Sequence, residues 1–332
     1  MEKVKLVVFG LGRMGQIHAQ NILRHPKADL VGVVDQNCEL ADEMAQRLES
    51  HAWDPDSVWS ECEFDAIMIA SPTATHINLI KKAIYYKKPI FCEKPIDQSA
   101  EQAAQIVSQL QGTPLMIGFN RRFDPQFQQF AMKLKQGDIG RLHTLQIISR
   151  DPALPPLGYL AGSGGLFKDM MIHDFDMACW LLGEMPSRLY AMGSWMQSEP
   201  LVGFQDVDTA MVVMQTATGK LCQISNNRQS GYGYDQRIEA FGERGQLSVG
   251  NVLQHTLTHI NQQGIQQAQP LNFFLERYEE AYKQELNVFI ACLIDGTPFP
   301  IDGKAGWRAL ALAELAQESL ESGEAVSCTH IF

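Results

Sequence analysis

The chain opens on a continuous apolar run, VKLVVFG at residues 4–10, with none of the polar alternation of a strand that faces water on one side. Runs of this kind are buried on both faces, as in a parallel sheet covered by helices. Comparable runs recur at ADLVGVV, FDAIMIA, KPIFC and PLMIG. Between them lie QIHAQNILRH, LADEMAQRLES and THINLIKKAIYYK, whose apolar residues return at helical spacing. Strand alternating with helix predicts a doubly wound α/β unit. From residue 142 the pattern changes to longer alternating segments: LHTLQIIS, SRLYAMGSWM, DTAMVVMQT, GKLCQISNN, DQRIEAFG and QLSVG. Turn pairs Thr218-Gly219 and Arg244-Gly245 separate some of them, so neighbouring antiparallel strands are expected. Helices are expected after Gly165, over FFLERYEEAYKQELNVFIACLID and over DGKAGWRALALAELAQESLESG, covering one face of that sheet. The predicted division is 1–118 and 119–332.

Length and composition support two domains. At 332 residues the chain exceeds what one hydrophobic core organises, and 45% hydrophobic with 20% charged residues describes a soluble globular protein. The net charge of −11 disfavours nucleic acid or an anionic membrane as partner and leaves small ligands. Seven scattered cysteines with no C-x-x-C pair read as reduced thiols without a zinc motif. No apolar stretch is long enough to span a bilayer, and the first residues enter a strand rather than a signal segment, so a cytoplasmic location is expected.

The first strand runs into Gly10-Leu11-Gly12-Arg13-Met14-Gly15, a helix follows, and the second strand ends on Asp35. Strand, glycine turn, helix, strand and acid form the full context of a dinucleotide fingerprint. Gly10 permits the tight turn, Gly12 lets the backbone approach a pyrophosphate, and Gly15 lets helix and strand pack. Asp35 suits the adenosine ribose hydroxyls and repels a 2′-phosphate, which selects NAD over NADP. Ser71, Thr73 and Lys94 fall at C-terminal strand ends, where open α/β sheets bind ligands. Lys94 reads either as a cation directed into that crevice or as a lysine snorkelling from a strand end.

Further chemistry gathers in SGGLFKDMMIHDFDMACWLLGE. Met171, Phe175, Ala178 and Leu182 follow one helical row, while Asp169, His173, Asp176 and Trp180 follow another. An acid one turn from an imidazole suits proton transfer near neutral pH. The same spacing also describes a buried pair that satisfies itself. No cluster of further His or Cys accompanies it, so no metal is expected. His18 and His76, on helices of the first domain, have either cofactor or packing roles.

GLGRMG, the strand-end SPT followed by TH, the EKP tripeptide, GFNRRFD and the G-G-x-x-x-D-x-x-x-H-D-x-D helix together resemble the Gfo/Idh/MocA family, over nearly the whole chain. The resemblance implies an N-terminal Rossmann domain, a C-terminal α/β domain with an open, mostly antiparallel sheet, and a homo-oligomer, tetramer or dimer, assembled through that sheet. It implies an NAD-dependent oxidoreductase acting on a CH–OH group. Arg13, Met14, Ser71, Thr73, His76, Glu93 and Arg121 would join the glycines and Asp35 around the cofactor. Within the family, ISRDPALPPLGYLAGSGGLFKDMMIHDFDMACWLL, SGYGYDQRIEAFG and FFLERYEEAY are similar to the branch that oxidises inositols at C2. By that similarity Lys94, Asp169 and His173 match the catalytic residues, and Arg150, Asp151, Tyr234 and Tyr282 match residues at the polyol pocket. The connection over 49–62 departs from the family pattern, at the edge of the adenine pocket.

Overall fold

The computed structural model describes residues 3–196 and 206–329. The chain divides into two compact units, Met1–Phe123 with Ala281–Arg308, and Asp124–Glu280 with Ala309–Phe332. The single boundary expected after residue 118 is corrected accordingly: the first unit continues to Phe123, and a later segment returns to it. Backbone pairing holds that segment, since the Ile117 N–H donates to the Ile301 carbonyl at 3.0 Å and Met116 bridges Asp302.

In the first unit the strands are β1 (Val4–Phe9), β2 (Ala28–Val34), β3 (Ala66–Ile69), β4 (Ile90–Glu93) and β5 (Leu115–Gly118). Among the described residues they form one sheet in the order β2-β1-β3-β4-β5, with every adjacent pair parallel. Every residue of β3, β4 and β5 is buried, which is why these strands read as unbroken apolar runs. The helices are α1 (Arg13–Arg24), α2 (Cys38–Arg47), α3 (Val58–Glu61), α4 (His76–Tyr85) and α5 (Ala100–Ser108). The connection over 49–62 holds α3 and a short pairing of Ala52 with Val33 at the sheet edge. Strand order reverses between β1 and β3, so the loops leaving Phe9 and Ile69 flank the crevice where such sheets bind ligands.

The second unit carries α6 (Pro125–Lys135), β6 (Leu142–Arg150), α7 (Leu157–Ser163), α8 (Gly165–Asp169), α9 (Ile172–Leu182), β7 (Pro186–Ser194), β8 (Thr209–Thr216), β9 (Leu221–Asn227), β10 (Asp235–Gly242) and β11 (Gly245–Val249). An exposed hairpin of β12 (Thr258–Asn261) and β13 (Gly264–Gln267) follows, then α10 (Phe274–Arg277). The long helices α11 (Glu279–Asp295) and α12 (Gly303–Ser322) each cross from one unit to the other in sequence, and β14 (Val326–Ser327) closes the chain's last described element. The sheet runs β11-β10-β6-β9-β8-β7-β14. Its β6–β9 pair is parallel and the rest antiparallel, which makes the open, mostly antiparallel sheet that was expected. Alternation matches this placement, with Leu145, Ile147, Val212, Met214 and Ile224 buried on one face. On that face α9 is tied to β6 and β9 through Asp174, whose carboxylate accepts from Ser149 Oγ at 2.7 Å and Asn226 Nδ2 at 2.8 Å. Toward β7, the Ala191 N–H donates to Ser319 Oγ of α12 at 3.0 Å.

Candidate active site

At the glycine turn of the first unit, Gly10 takes φ +91°, and a Cβ there would lie 2.4 Å from the Ser71 Cα. A Cβ on Gly15 would stand 1.8 Å from the Gly10 carbonyl oxygen, so helix and turn touch only because both are glycine. Gly12 differs, because nothing lies within 4 Å of its missing Cβ. That open approach beside the N-terminus of α1 fits a pyrophosphate. The Asp35 carboxylate is already aimed: Oδ2 accepts from the Leu11 N–H at 2.7 Å and Oδ1 from the Asn37 N–H at 2.9 Å. Arg13 is exposed and Met14 half-buried in the first turn of α1. Across the crevice Ser71 Oγ lies 2.6 Å from Thr75 Oγ1, and Thr73 opens the short turn between them. These residues fit a dinucleotide.

Three residues assigned to the cofactor by resemblance, His76, Glu93 and Arg121, are buried. His76 is buried, with Nδ1 2.9 Å from the Pro95 carbonyl and Nε2 2.9 Å from the Ser71 carbonyl. Burial pushes its pKa down, against the two carbonyls that raise it. The imidazole thus joins two strand ends, and its ring nitrogens face backbone. Glu93 is likewise buried, and its Oε1 lies 2.7 Å from Nε2 of His18, a residue that reaches it from α1. Arg121 is buried in the turn Asn120–Phe123. Lys94, half-buried, follows directly on the end of β4.

In the second unit the expected continuous helix is broken. Asp169 ends α8 and His173 lies in the first turn of α9, with Met170 and Met171 between them. At the break the Met171 N–H reaches back to the Leu166 carbonyl at 2.9 Å, one residue further than an α-helical bond. Gly183 ends α9 with φ +70°, as expected of a glycine stop. Asp169 Oδ1 accepts from the Tyr159 hydroxyl at 2.8 Å, and Oδ2 lies 3.2 Å from Nη1 of Arg228. The Arg228 side chain is wholly buried, and its Nη2 stands 3.5 Å from Oδ2 of Asp206. Asp206 Oδ1 in turn accepts from the Leu166 N–H at 2.9 Å and thereby holds the start of α8. Burial around the Tyr159 hydroxyl, followed by the Asp169 charge, pushes its pKa up, so it acts as a donor. Tyr159, Arg228 and Asp206 carry no spacing signal relative to Asp169 and were not anticipated.

At the end of β6, Arg150 Nη1 meets the Tyr232 hydroxyl at 2.6 Å and Oδ2 of Asp235 at 3.0 Å. Asp235 is fully buried and also accepts from Arg237 Nε at 2.7 Å and Asn251 Nδ2 at 2.7 Å. Burial works to raise its pKa, and hydrogen bonds from Arg237, Tyr232 and Asn251 outweigh it and hold the carboxyl below its ordinary range. The Asp151 N–H, next in the chain, donates to the Asn227 carbonyl at 2.9 Å. Of the two expected tyrosines, Tyr234 is buried edge-on against Tyr278 at 6.0 Å, and Tyr282 belongs to the first unit, edge-on to His18 at 6.0 Å. The tyrosine on Arg150 is Tyr232, two residues before Tyr234. Among the described residues no group of three or more His, Cys, Asp or Glu is placed to hold a metal, and no helix is long and apolar enough to cross a membrane.

Comparison with known proteins decides the family. Residues 4–120 match the oxidoreductase family with NAD-binding Rossmann fold, and residues 127–248 match the GFO/IDH/MocA C-terminal domain. The myo-inositol 2-dehydrogenase of Thermotoga maritima is 38% identical over 332 residues, 99% of each chain. The chain belongs to the Gfo/Idh/MocA oxidoreductase family. It is an NAD-dependent oxidoreductase whose Rossmann unit binds the cofactor. Among solved structures, a myo-inositol dehydrogenase from Corynebacterium glutamicum is 40% identical, with a TM-score of 0.94 over 98% of this chain and 99% of that one. A scyllo-inositol dehydrogenase from Lactobacillus casei, with bound NAD(H) and scyllo-inositol, is 27% identical, with a TM-score of 0.89 over 98% and 99%.

Proposed function

We propose that this enzyme oxidises myo-inositol at C2 to the 2-keto product, scyllo-inosose. The observation that carries the reading is full-length likeness to a protein named for myo-inositol 2-dehydrogenation. The acid and imidazole at the α8–α9 break supply chemistry of the right kind. A secondary alcohol loses its C–H as hydride only as its O–H proton departs, so a base must reach that oxygen. His173 is that base. Asp169, fixed by Tyr159 and Arg228, orients and charge-balances the imidazolium that forms. Lys94 stabilises the developing alkoxide with its ammonium. NAD, when bound, accepts the hydride. Arg150 and Asp151, with Tyr232 on Arg150, supply hydrogen bonds to the remaining ring hydroxyls. Such a site discriminates against analogues lacking them.

A panel of polyols assayed for NADH formation tests the reading. Myo-inositol should give the highest kcat/KM. Faster turnover of scyllo-inositol, the reaction named for a 33% identical Bacillus subtilis relative, would move the specificity. No turnover of any inositol would overturn the reading.

The proposal extends to a cytoplasmic homo-oligomer. On the sheet's other face Tyr190 pairs with Val213 and Met192 with Met211, and all four side chains are exposed. A second copy would cover this apolar patch.

A further inference from the structure

Behind the end of β4, three titratable side chains of the first unit come together. His18, on α1 and 1% exposed, sets its Nε2 2.7 Å from Oε1 of Glu93. Glu93 is the last residue of β4 and immediately precedes Lys94. Its Oε2 lies against Gly118, where an added Cβ would stand 3.0 Å from it. The third is Glu285 on α11, 0% exposed, with neither carboxyl oxygen hydrogen-bonded. One turn before it Tyr282 packs edge-on to His18 at 6.0 Å, and one turn after it Phe289 packs on Phe91 of β4 at 5.7 Å. The helix face that carries Glu285 is therefore the face turned toward His18 and β4. Burial first, and then the Glu93 charge, push the Glu285 pKa well above its ordinary value. Glu285 is thus held as the neutral acid, while His18 serves Glu93.

We propose that His18 and Glu93 are positioning residues for the reaction, tying the helix that begins at the cofactor's glycine turn to the strand end that presents Lys94. The proposal rests on the role given to Lys94 above. His18 lies five residues beyond Arg13 on the same rigid helix, so its hydrogen bond transmits the placement of the pyrophosphate-binding turn to β4. Moving the Lys94 backbone would drag the Glu93 carboxylate from its donor and leave a buried charge unpaired, which is strongly disfavoured. A lysine that must meet one oxygen of the substrate gains from such a constraint.

The test uses the full-length enzyme and whichever polyol the wild type oxidises fastest. His18→Phe keeps ring volume and removes the donor, whereas His18→Gln restores a donor of similar reach. NAD binding, followed by intrinsic fluorescence, and the melting temperature report on the fold. His18→Phe should bind NAD yet lose about 10²-fold in kcat, the scale of a small misplacement at the reacting atoms. His18→Gln should recover most of that loss. In a Lys94→Met background His18→Phe should cause no further loss. Should His18→Phe fail to fold, His18→Asn, whose amide is one methylene short, takes its place with the same expected loss. Wild-type kcat in the donor-less variant, or an equal loss in both backgrounds, would overturn the positioning role while leaving Lys94 its own. Lys94→Met with near wild-type turnover would overturn the role of the lysine and the proposal with it.

Discussion

The wholly buried guanidinium of Arg228 stands between two carboxylates, with Nη1 3.2 Å from Oδ2 of Asp169 and Nη2 3.5 Å from Oδ2 of Asp206. One cation thus fixes the acid proposed to serve the base and the acid that holds the start of α8. Removing it leaves two like charges in a poorly hydrated place. Arg228→Met should cost about 3–5 kcal/mol in denaturant unfolding, the range for breaking a buried ion pair from one side. Arg228→Lys should recover part of the stability and less of the activity, since an ammonium cannot span both acids. Unfolding curves and kcat measured side by side check both statements, and an Arg228→Met enzyme with native stability would contradict them.

Cofactor choice follows from Asp35. Its oxygens already accept from the Leu11 and Asn37 N–H groups, so the carboxylate is held as an acceptor beside the glycine turn. A 2′-phosphate there would meet a fixed negative charge, with Gln36 and Asn37 offering no cation. NAD should be preferred over NADP by more than about 10-fold in kcat/KM, equivalent to roughly 1.4 kcal/mol. Asp35→Ser combined with Gln36→Arg should narrow or reverse the ratio. Equal kcat/KM for both cofactors in the wild type would remove this reading of Asp35.

The two preceding sites show what local pattern carries and what it does not. β1, the glycine turn, α1, β2 and Asp35 were legible because each requirement is local: an apolar run for a doubly buried strand, glycine where a Cβ would strike backbone, an acid at the next strand end. Gly10 and Gly15 satisfy those requirements at contact distances. Arg228 was not legible, because it meets Asp169 from 59 residues away and no spacing links them. The break at Met170–Met171 was hidden for another reason, since apolar residues on both sides keep the helical period. The return of Ala281–Arg308 to the first unit was hidden because an amphipathic period shows that a face is buried and not against which core. Tyr282 lies on that returning segment and packs edge-on against His18.

Glu285 makes a prediction about stability. Its pKa in the folded protein is raised well above the ordinary value of 4.5 by burial first and the Glu93 charge second. Below the ordinary value the acid is protonated in both states and costs nothing. As pH rises above it, the unfolded chain ionises while the folded one does not. Stability then falls by about 1.4 kcal/mol per pH unit until the folded group itself ionises. Glu285→Gln abolishes that slope. The variant should gain on the wild type progressively between pH 5 and 7.5, as measured by denaturant unfolding at a series of pH values. A difference that does not change with pH would mean that Glu285 is ionised in the folded state.

The base assignment has the sharpest consequence. His173 must be neutral to accept the alcohol proton, so wild-type turnover should fall as pH falls through the titration of its imidazole. His173→Ala should lower kcat by about 10²- to 10⁴-fold, the usual contribution of a positioned base, and should remove that acidic limb. Because His173 is only half-buried in the first turn of α9, the fold should survive, and melting curves check this. Asp169→Asn keeps the shape but places an amide where Tyr159 and Arg228 both direct donors. It should therefore damage kcat comparably while also lowering stability, and the two losses together separate its role from that of His173. An unchanged acidic limb in His173→Ala would assign the limb, and the base, to another group.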